Sequence, residues 1–355
     1  MIVTAQGMVT SVGSDAFTAC ASIRAGLTRP QLLEDFPMGN LETMEESFLV
    51  GHPVAGLTDG FVLFGRWSLL LDRAITSLWS TSQVPGPDET RFWQSTALIV
   101  VLPRLGDARF CSEEEDATSL IESAREKLCG SAPVQGSTIL PGGRVALASA
   151  FRLAGEMLSA RRCARVLVAA VDSYLDPLSI DWLWRAGRLK LSDAPAGLSP
   201  GEAGACLLVE ADWAARERGA RTIFHVRGLG EAKDPDAHTD RDAVGRGLAK
   251  AALSSLAEAG ITEAFCGDIV SDHNGESWRA IEYGGACTLL KSRFGTSIRE
   301  IFPAQSIGDV GAASAAVALC VAGRSFVRGY ASSHKALVLC STEFGESAAL
   351  LVTSS

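Results

Sequence analysis

The features missing from this sequence of 355 residues already limit its function. It has no apolar run of the roughly 20 residues that a membrane-spanning helix needs, and residues 312–322, one of the longest, fall well short. Its first residues have neither the basic nor the apolar region of a signal peptide and are expected to form a first strand. A net charge of −9 argues against nucleic acid as the main partner, because phosphate binding needs a basic face. We therefore expect a cytoplasmic protein that neither spans a membrane nor binds nucleic acid.

The cysteines lack the spacing of metal sites and disulfide frameworks. There are nine of them, an odd number, and no CxxC or CxxH pairing occurs. Several lie singly in apolar contexts, namely Cys206, Cys266, Cys287, Cys320 and Cys340. This pattern indicates small buried side chains rather than zinc ligands or disulfides. We expect no metal and no cofactor.

Apolar residues are abundant enough for a large core. Hydrophobic types make up 47% of the chain, and the mean hydropathy is +0.18. The most informative stretch is residues 137–171, in which a Gly-rich turn precedes an Ala- and Leu-rich helix (145–158) and an apolar strand (166–171). Such a strand is typical of the middle of a layered α/β protein. The length fits one large or two medium domains.

The turn before that helix is where many enzymes carry a nucleophile, because a helix N-terminus offers free N–H groups and a positive dipole. Here the turn contains Gly142, Gly143, Arg144 and Val145, none of which attacks a carbonyl. Residues 18–22 (TACAS) resemble an acyltransferase motif, but their cysteine is expected in the middle of a helix. A nucleophilic cysteine gains its low pKa at a helix N-terminus, so Cys20 is predicted to be a structural thiol.

Two segments resemble each other and indicate an internal duplication. Residues 140–150 (LPGGRVALASA) and 306–315 (SIGDVGAASA) both read as a tight turn that opens a helix of very small residues. Helices of Ala, Ser and Gly permit close backbone approach, so the two are expected to pack together in a duplicated βα architecture.

Other stretches carry weaker signals. Residues 27–60, with three prolines, are expected to be irregular. Ser14 is expected to cap the first helix. Residues 276–291 are expected to form a helix broken at its Gly-Gly pair, and residues 113–116 an acidic cap at the start of another helix.

Taken in order along the chain, the motifs resemble those of the β-ketoacyl-ACP synthases of the thiolase-like superfamily, over essentially the whole chain. They are VTAQGMVTSVG (3–13), VLVAAVDS (166–173), SPGEAGACLLVE (199–210), QSIGDVGAASA (305–315) and EFGESAALLV (343–352). The resemblance implies a five-layer α-β-α-β-α sandwich made of two duplicated halves, residues 1–212 and 213–355. It also implies a dimer, with residues 166–171 expected beside their twin across a two-fold axis.

The resemblance further implies where catalytic groups would lie. Val145 stands at the position of the family's nucleophilic cysteine, and His273 matches its first catalytic histidine. Asp309 stands at the second histidine, Ala304 near the family's lysine, and Phe344 at the acyl entrance. An acyl pocket would thus be formed by Val145, Arg144 and Phe344.

Two functions follow from this resemblance. The first is a non-condensing homologue that acts by binding: it pairs with itself or with another ketosynthase-like subunit, or serves an acyl carrier protein, an acyl chain or an accessory assembly. The second is a residual acyl-thioester enzyme, such as a thioesterase, decarboxylase or acyltransferase, that uses His273 and Asp309. In either case a buried Asp309 carboxylate needs a partner, so we expect it within ion-pair reach of His273 or Arg144.

Overall fold

The computed structural model describes most of the chain. The described residues are 1–39, 46–81, 84–110, 117–129, 136–234 and 245–354. Among them, no helix is long and apolar enough to cross a membrane. The acidic run at residues 113–116, expected to cap a helix, lies outside these ranges.

Five strands from the first half of the chain form one half of the main sheet. They are β1 (Ile2–Thr10), β4 (Thr96–Leu102), β5 (Ser137–Pro141), β6 (Arg165–Ser173) and β7 (Glu202–Glu210). Their spatial order is β5, β4, β6, β7, β1. β4 runs parallel to β5 and β6, whereas β7 is antiparallel to β6 and β1.

The second half of the chain repeats this arrangement. Its strands are β8 (Phe224–Lys233), β9 (Phe265–Ser271), β10 (Phe294–Ile301), β11 (Lys335–Ser341) and β12 (Glu346–Thr353), in the spatial order β10, β9, β11, β12, β8. When the five strands of each half are numbered along the chain, both halves have the order 3-2-4-5-1. The duplicated architecture predicted from the sequence is confirmed. Two residue pairs between β1 and β8 join the halves into one 10-stranded sheet.

Helices cover both faces of each half-sheet and complete five layers. The helices are α1 (Ala16–Arg24), α2 (Leu63–Thr81), α3 (Thr90–Gln94), α4 (Thr118–Cys129), α5 (Ala146–Ser159), α6 (Pro177–Arg185), α7 (Asp212–Glu217), α8 (Arg246–Glu258), α9 (Ser277–Leu289), α10 (Ala304–Ile307) and α11 (Ser314–Arg328). α5 and α11 lie between the half-sheets, α2 and α4 cover the outer face of the first, and α8 and α9 that of the second.

The alternation of side chains along each strand produces these layers. In β6, Val166 and Val168 belong to the central core, while Leu167 and Ala169 belong to the outer core beneath α2 and α4. All four are fully buried. Residues 166–171 of this strand are therefore all apolar because both faces are covered, as their composition predicted.

Several local predictions need correction. Residues 27–60 are not irregular, because β2 (Gln31–Gly39) pairs with β3 (Glu46–Gly51) in a hairpin whose register shifts next to Pro37. A proline is tolerated at such an irregularity, where no ladder hydrogen bond is lost. Asp15 rather than Ser14 caps α1, and α9 continues through its glycine pair, whose backbone keeps its intrahelical bonds.

The strand expected at the two-fold axis also needs correction. β6 lies inside the half-sheet, paired with β4 and β7 along its length. The edge of this half is β5, which pairs with β4 alone among the described strands. The expected boundary between residues 212 and 213 falls at the start of α7 and stays a prediction.

Candidate functional site

Two short 3-10 turns at the ends of the central helices position the candidate site. Gly143–Val145 leads into α5 and Gly311–Ala313 leads into α11, and the two turns contact each other. Gly143 and Gly311 both adopt positive φ, 68° and 52°, a conformation that other residues rarely adopt. The repeat seen in the sequence is thus a pair of equivalent turns, and both donate to Asp309, one through the Arg144 side chain and the other through the Gly311 N–H.

Arg144 is the centre of the site. It is 3% exposed, and its guanidinium lies 3.2 Å from Asp272 Oδ2 and 3.0 Å from Asp309 Oδ2. It also donates to the Tyr174 hydroxyl at 3.2 Å. Desolvation alone would lower the pKa of Arg144, but the negative charges of Asp309 and Asp272 outweigh it and raise the pKa. Arg144 is therefore a permanent buried cation.

Asp309 is saturated with donors. Its carboxylate accepts from Arg144, from the Asn274 amide and, at 2.9 Å, from the backbone N–H of Gly311. Burial would raise the pKa of Asp309, but the Arg144 and Arg279 charges and the Asn274 hydrogen bond lower it to about 2. The carboxylate is ionised at neutral pH and holds no proton to transfer. The ion pair with Arg144 confirms the prediction that this buried carboxylate has a cationic partner.

A second carboxylate extends the network toward α9. Asp272 bridges Arg144 and Arg279, both of which are almost fully buried. Arg279 also donates to Ser341, whose hydroxyl binds Glu282. The loops after β9 and β11 are therefore tied to the turn before α5 by charge-assisted hydrogen bonds.

Another bridge closes the site on one side. Arg188 contacts Glu276 at 2.7 Å and Glu343 at 3.1 Å, so it joins the loop after β9 to the loop after β11. Its guanidinium also lies over the Trp182 ring. The neighbouring Arg109 forms a buried pair with Asp172, 2.8 Å apart, and Asp172 accepts the N–H of Ala312.

Little space is left in this network. The cavity beside the Gly142–Arg144 turn, whose walls include Phe344, has a volume of about 40 Å³. That is enough for a few water molecules, whereas small-molecule sites usually measure about 300–1,000 Å³. An acyl chain does not fit there without movement of the charged side chains.

The remaining predicted site residues lie as follows. Val145 is partly buried against the central core, and the Phe344 ring lies 4.6 Å from the Arg104 guanidinium.

Among the described contacts, no hydrogen bond joins His273 to Asp309. His273 instead stacks on Tyr283 and contacts Phe302 edge to face. With Ala304 it lines a separate cleft of about 740 Å³. Burial, followed by the charge of Arg279, lowers the pKa of His273.

Cys20 behaves as predicted. It is 1% exposed in the middle of α1, and burial raises the pKa of its thiol to about 12. Such a thiol is not a nucleophile at neutral pH. Within the described residues, no group of His, Cys, Asp and Glu side chains is arranged to hold a metal ion.

Sequence reasoning did not single out Asp272, Asn274 and Tyr174 as partners of Arg144. One signal was present, since Asp272 and Asn274 directly follow the buried strand β9, where polar side chains of α/β proteins gather. Their partner was not deducible, because Arg144 and Asp272 are 128 positions apart.

No protein-family model and no curated protein matches the chain. Solved structures do match, and the alignments of three of them cover this chain over its whole length. A chain of the AntDE:AntF complex, described as a type II PKS acyl-carrier protein with its ketosynthase bound to the hexaketide, is 18% identical with a TM-score of 0.79 and covers 100% of this chain and 98% of its own. The ishigamide ketosynthase/chain length factor gives 16% identity and a TM-score of 0.78, with coverages of 100% and 98%. The Streptomyces albus JA3453 oxazolomycin ketosynthase domain OzmH KS7 is 14% identical with a TM-score of 0.77. The alignment covers 100% of this chain and 75% of that one. The chain has the thiolase-like fold of these ketosynthases.

Proposed function

We propose that this protein is a non-condensing ketosynthase homologue that acts by binding. The observation that carries the proposal is the buried ion-paired network of Arg144, Asp272 and Asp309, which fills the space at the opening of α5. Condensation needs a thiolate to hold the acyl chain and neutral or cationic donors to stabilise an enolate. Val145 supplies no nucleophile, and the ionised Asp309 would repel an enolate.

The binding role includes pairing with a second ketosynthase-like subunit, identical or different. Among the solved structures of this fold, one is described as a ketosynthase/chain length factor and another as a ketosynthase complex with an acyl-carrier protein. The edge strand β5 supports such pairing here. All five of its residues are half-buried and its outer edge has no strand partner among the described residues.

The test is an acyl-transfer assay of the purified protein. Intact-mass spectrometry after incubation with acyl-CoA and malonyl-ACP is expected to show no covalent adduct, and carbon dioxide release is expected to stay at the level without protein. The same protein is expected to bind an acyl carrier protein or a ketosynthase-like subunit. A covalent acyl group or malonyl turnover would overturn the proposal.

A His273→Ala variant distinguishes the proposed binding function from the second candidate function, a residual acyl-thioester enzyme. If the protein hydrolyses acyl thioesters and this variant does not, the protein is a residual acyl-thioester enzyme rather than a binding subunit. Equal inertness of both proteins is the result expected from the proposal.

A further inference from the structure

A large cleft lies apart from the charged network of Arg144. This hairpin cleft, of about 740 Å³, is bounded by the β2–β3 hairpin, residues 190–199, the loop after β9 and the start of α10. Its volume falls within the roughly 300–1,000 Å³ range of small-molecule sites. The described residues that line it include Phe48, Val50, His52, Lys190 and His273.

One wall of the hairpin cleft is an apolar strand face. Phe48 is 41% and Val50 39% exposed, and Leu32, which pairs with Val50 in register, is 61% exposed. On the opposite face of the same strand, Leu49 is buried against a small cluster around Tyr174 and Leu198. A two-stranded hairpin that is apolar on both faces is anchored through one of them, which leaves the other to contact something else.

The floor of the cleft carries two imidazoles with unused nitrogens. The backbone N–H of His52 donates to the Pro200 carbonyl at 2.8 Å, and the residue, directly after β3, is 6% exposed. Neither His52 Nδ1 nor His273 Nδ1 has a hydrogen-bond partner among the described residues. A buried polar atom without a hydrogen-bond partner destabilises the folded state, and a polar ligand group at this floor would supply the partner.

The charge of the lining indicates the polarity of the ligand. None of the described residues that line the cleft is Asp or Glu, although the chain as a whole has a net charge of −9. The cationic side chain among them is Lys190, in the loop that faces the hairpin. A concave surface with a cation and hydrogen-bonding imidazoles, but without carboxylates, attracts anionic groups.

We propose that the hairpin cleft binds an organic acid with an apolar chain. The chain lies along Phe48 and Val50, while the carboxylate faces Lys190 and the imidazoles of His52 and His273. This goes beyond the proposed binding role, because the ligand requires neither a partner subunit nor a thioester, and the two proposals fail independently.

The test is calorimetric titration with three matched probes, decanoate, acetate and decylamine. Decanoate is expected to bind at least tenfold more tightly than either, because acetate lacks the apolar chain and decylamine carries the opposite charge. In spectra of the histidine ring protons, decanoate is expected to shift the signals of His52 and His273.

Two cleft variants have controls on α8. Val50→Asp and Lys190→Met are expected to weaken decanoate binding at least fivefold. Leu253→Asp and Lys250→Met change an equally exposed leucine and an exposed lysine outside the cleft, and they are expected to leave binding unchanged. Absence of decanoate binding, equal binding of decylamine, or an equal loss in the controls would overturn the proposal.

Discussion

At the scale of single residues, the charged network explains why Asp309 is tolerated in the core. Its carboxylate has three donors, and its partner Arg144 is shared with Asp272. Breaking a buried pair by removing one partner usually costs about 3–5 kcal/mol, because the other charge is left uncompensated. The ion pair thus holds the two central turns together.

We expect Asp309→Asn to lower the free energy of unfolding by about 3 kcal/mol. Arg144 keeps Asp272 as a partner, so the loss falls at the lower end of the usual range. The measurement is urea denaturation at neutral pH. Asp181→Asn removes a carboxylate from the exposed pair with Arg185 and is the control, with an expected change below about 1 kcal/mol.

The alternative role of Asp309 makes the opposite prediction. If it were part of a catalytic dyad with His273, Asp309→Asn would abolish thioester hydrolysis and leave the unfolding midpoint almost unchanged. If the role of Asp309 is structural, the variant is expected to lose stability without any change in activity.

At the scale of elements, the turn that opens α11 depends on a glycine. Gly311 has a φ of 52°, and a Cβ there would lie 1.9 Å from Asp172 Oδ2. That carboxylate is fixed by Arg109 and by the N–H of Ala312, so it has no room to retreat. The turn therefore requires both the positive φ and the absence of a side chain.

We expect Gly311→Ala to destabilise the protein by at least about 2 kcal/mol, from backbone strain and displacement of Asp172. The matched control is Gly284→Ala in α9, where an added Cβ meets no atom within 4 Å. A helical glycine is about 0.5–1 kcal/mol worse than alanine, so this variant is expected to be stabilised. Equal melting temperatures of the two variants would contradict this account of the turn.

At the scale of the whole molecule, the two sheet edges differ. The β10 edge carries exposed residues, including Thr296 and Ser297, whereas the β5 edge is half-buried along its whole length. An edge strand without a partner is prone to pair with another chain. We place the subunit contact of the proposed function at β5 because its side chains are already partly desolvated.

We expect the protein to be a dimer at micromolar concentration by light scattering, and Thr138→Lys in β5 to shift it toward monomer. Thr296→Lys places the same charge on the opposite edge strand, and we expect it to leave the dimer intact. A monomeric wild-type protein, or equal effects of the two variants, would refute the placement of this interface.

The sequence by itself determined much of the fold. Strands such as β6 are recognisable because residues 166–171, which are covered on both faces, form a continuous apolar run. The paired glycine turns before α5 and α11 are recognisable because small residues and positive φ are local requirements. The absence of a nucleophilic side chain from residues 142–145 can also be seen in the sequence, since a side chain either has a nucleophilic atom or does not.

Only the tertiary structure decided how the candidate site is assembled. Arg144, Asp272, Asp309 and Tyr174 come from distant parts of the chain, and nothing local specifies which buried charge meets which. The hairpin cleft likewise depends on how β3 and residues 190–199 pack against the loop after β9. The preference of each residue for helix, strand or turn is local and can be recognised in the sequence. Ion pairs and cavities form between elements, so they exist only once the two halves have packed together.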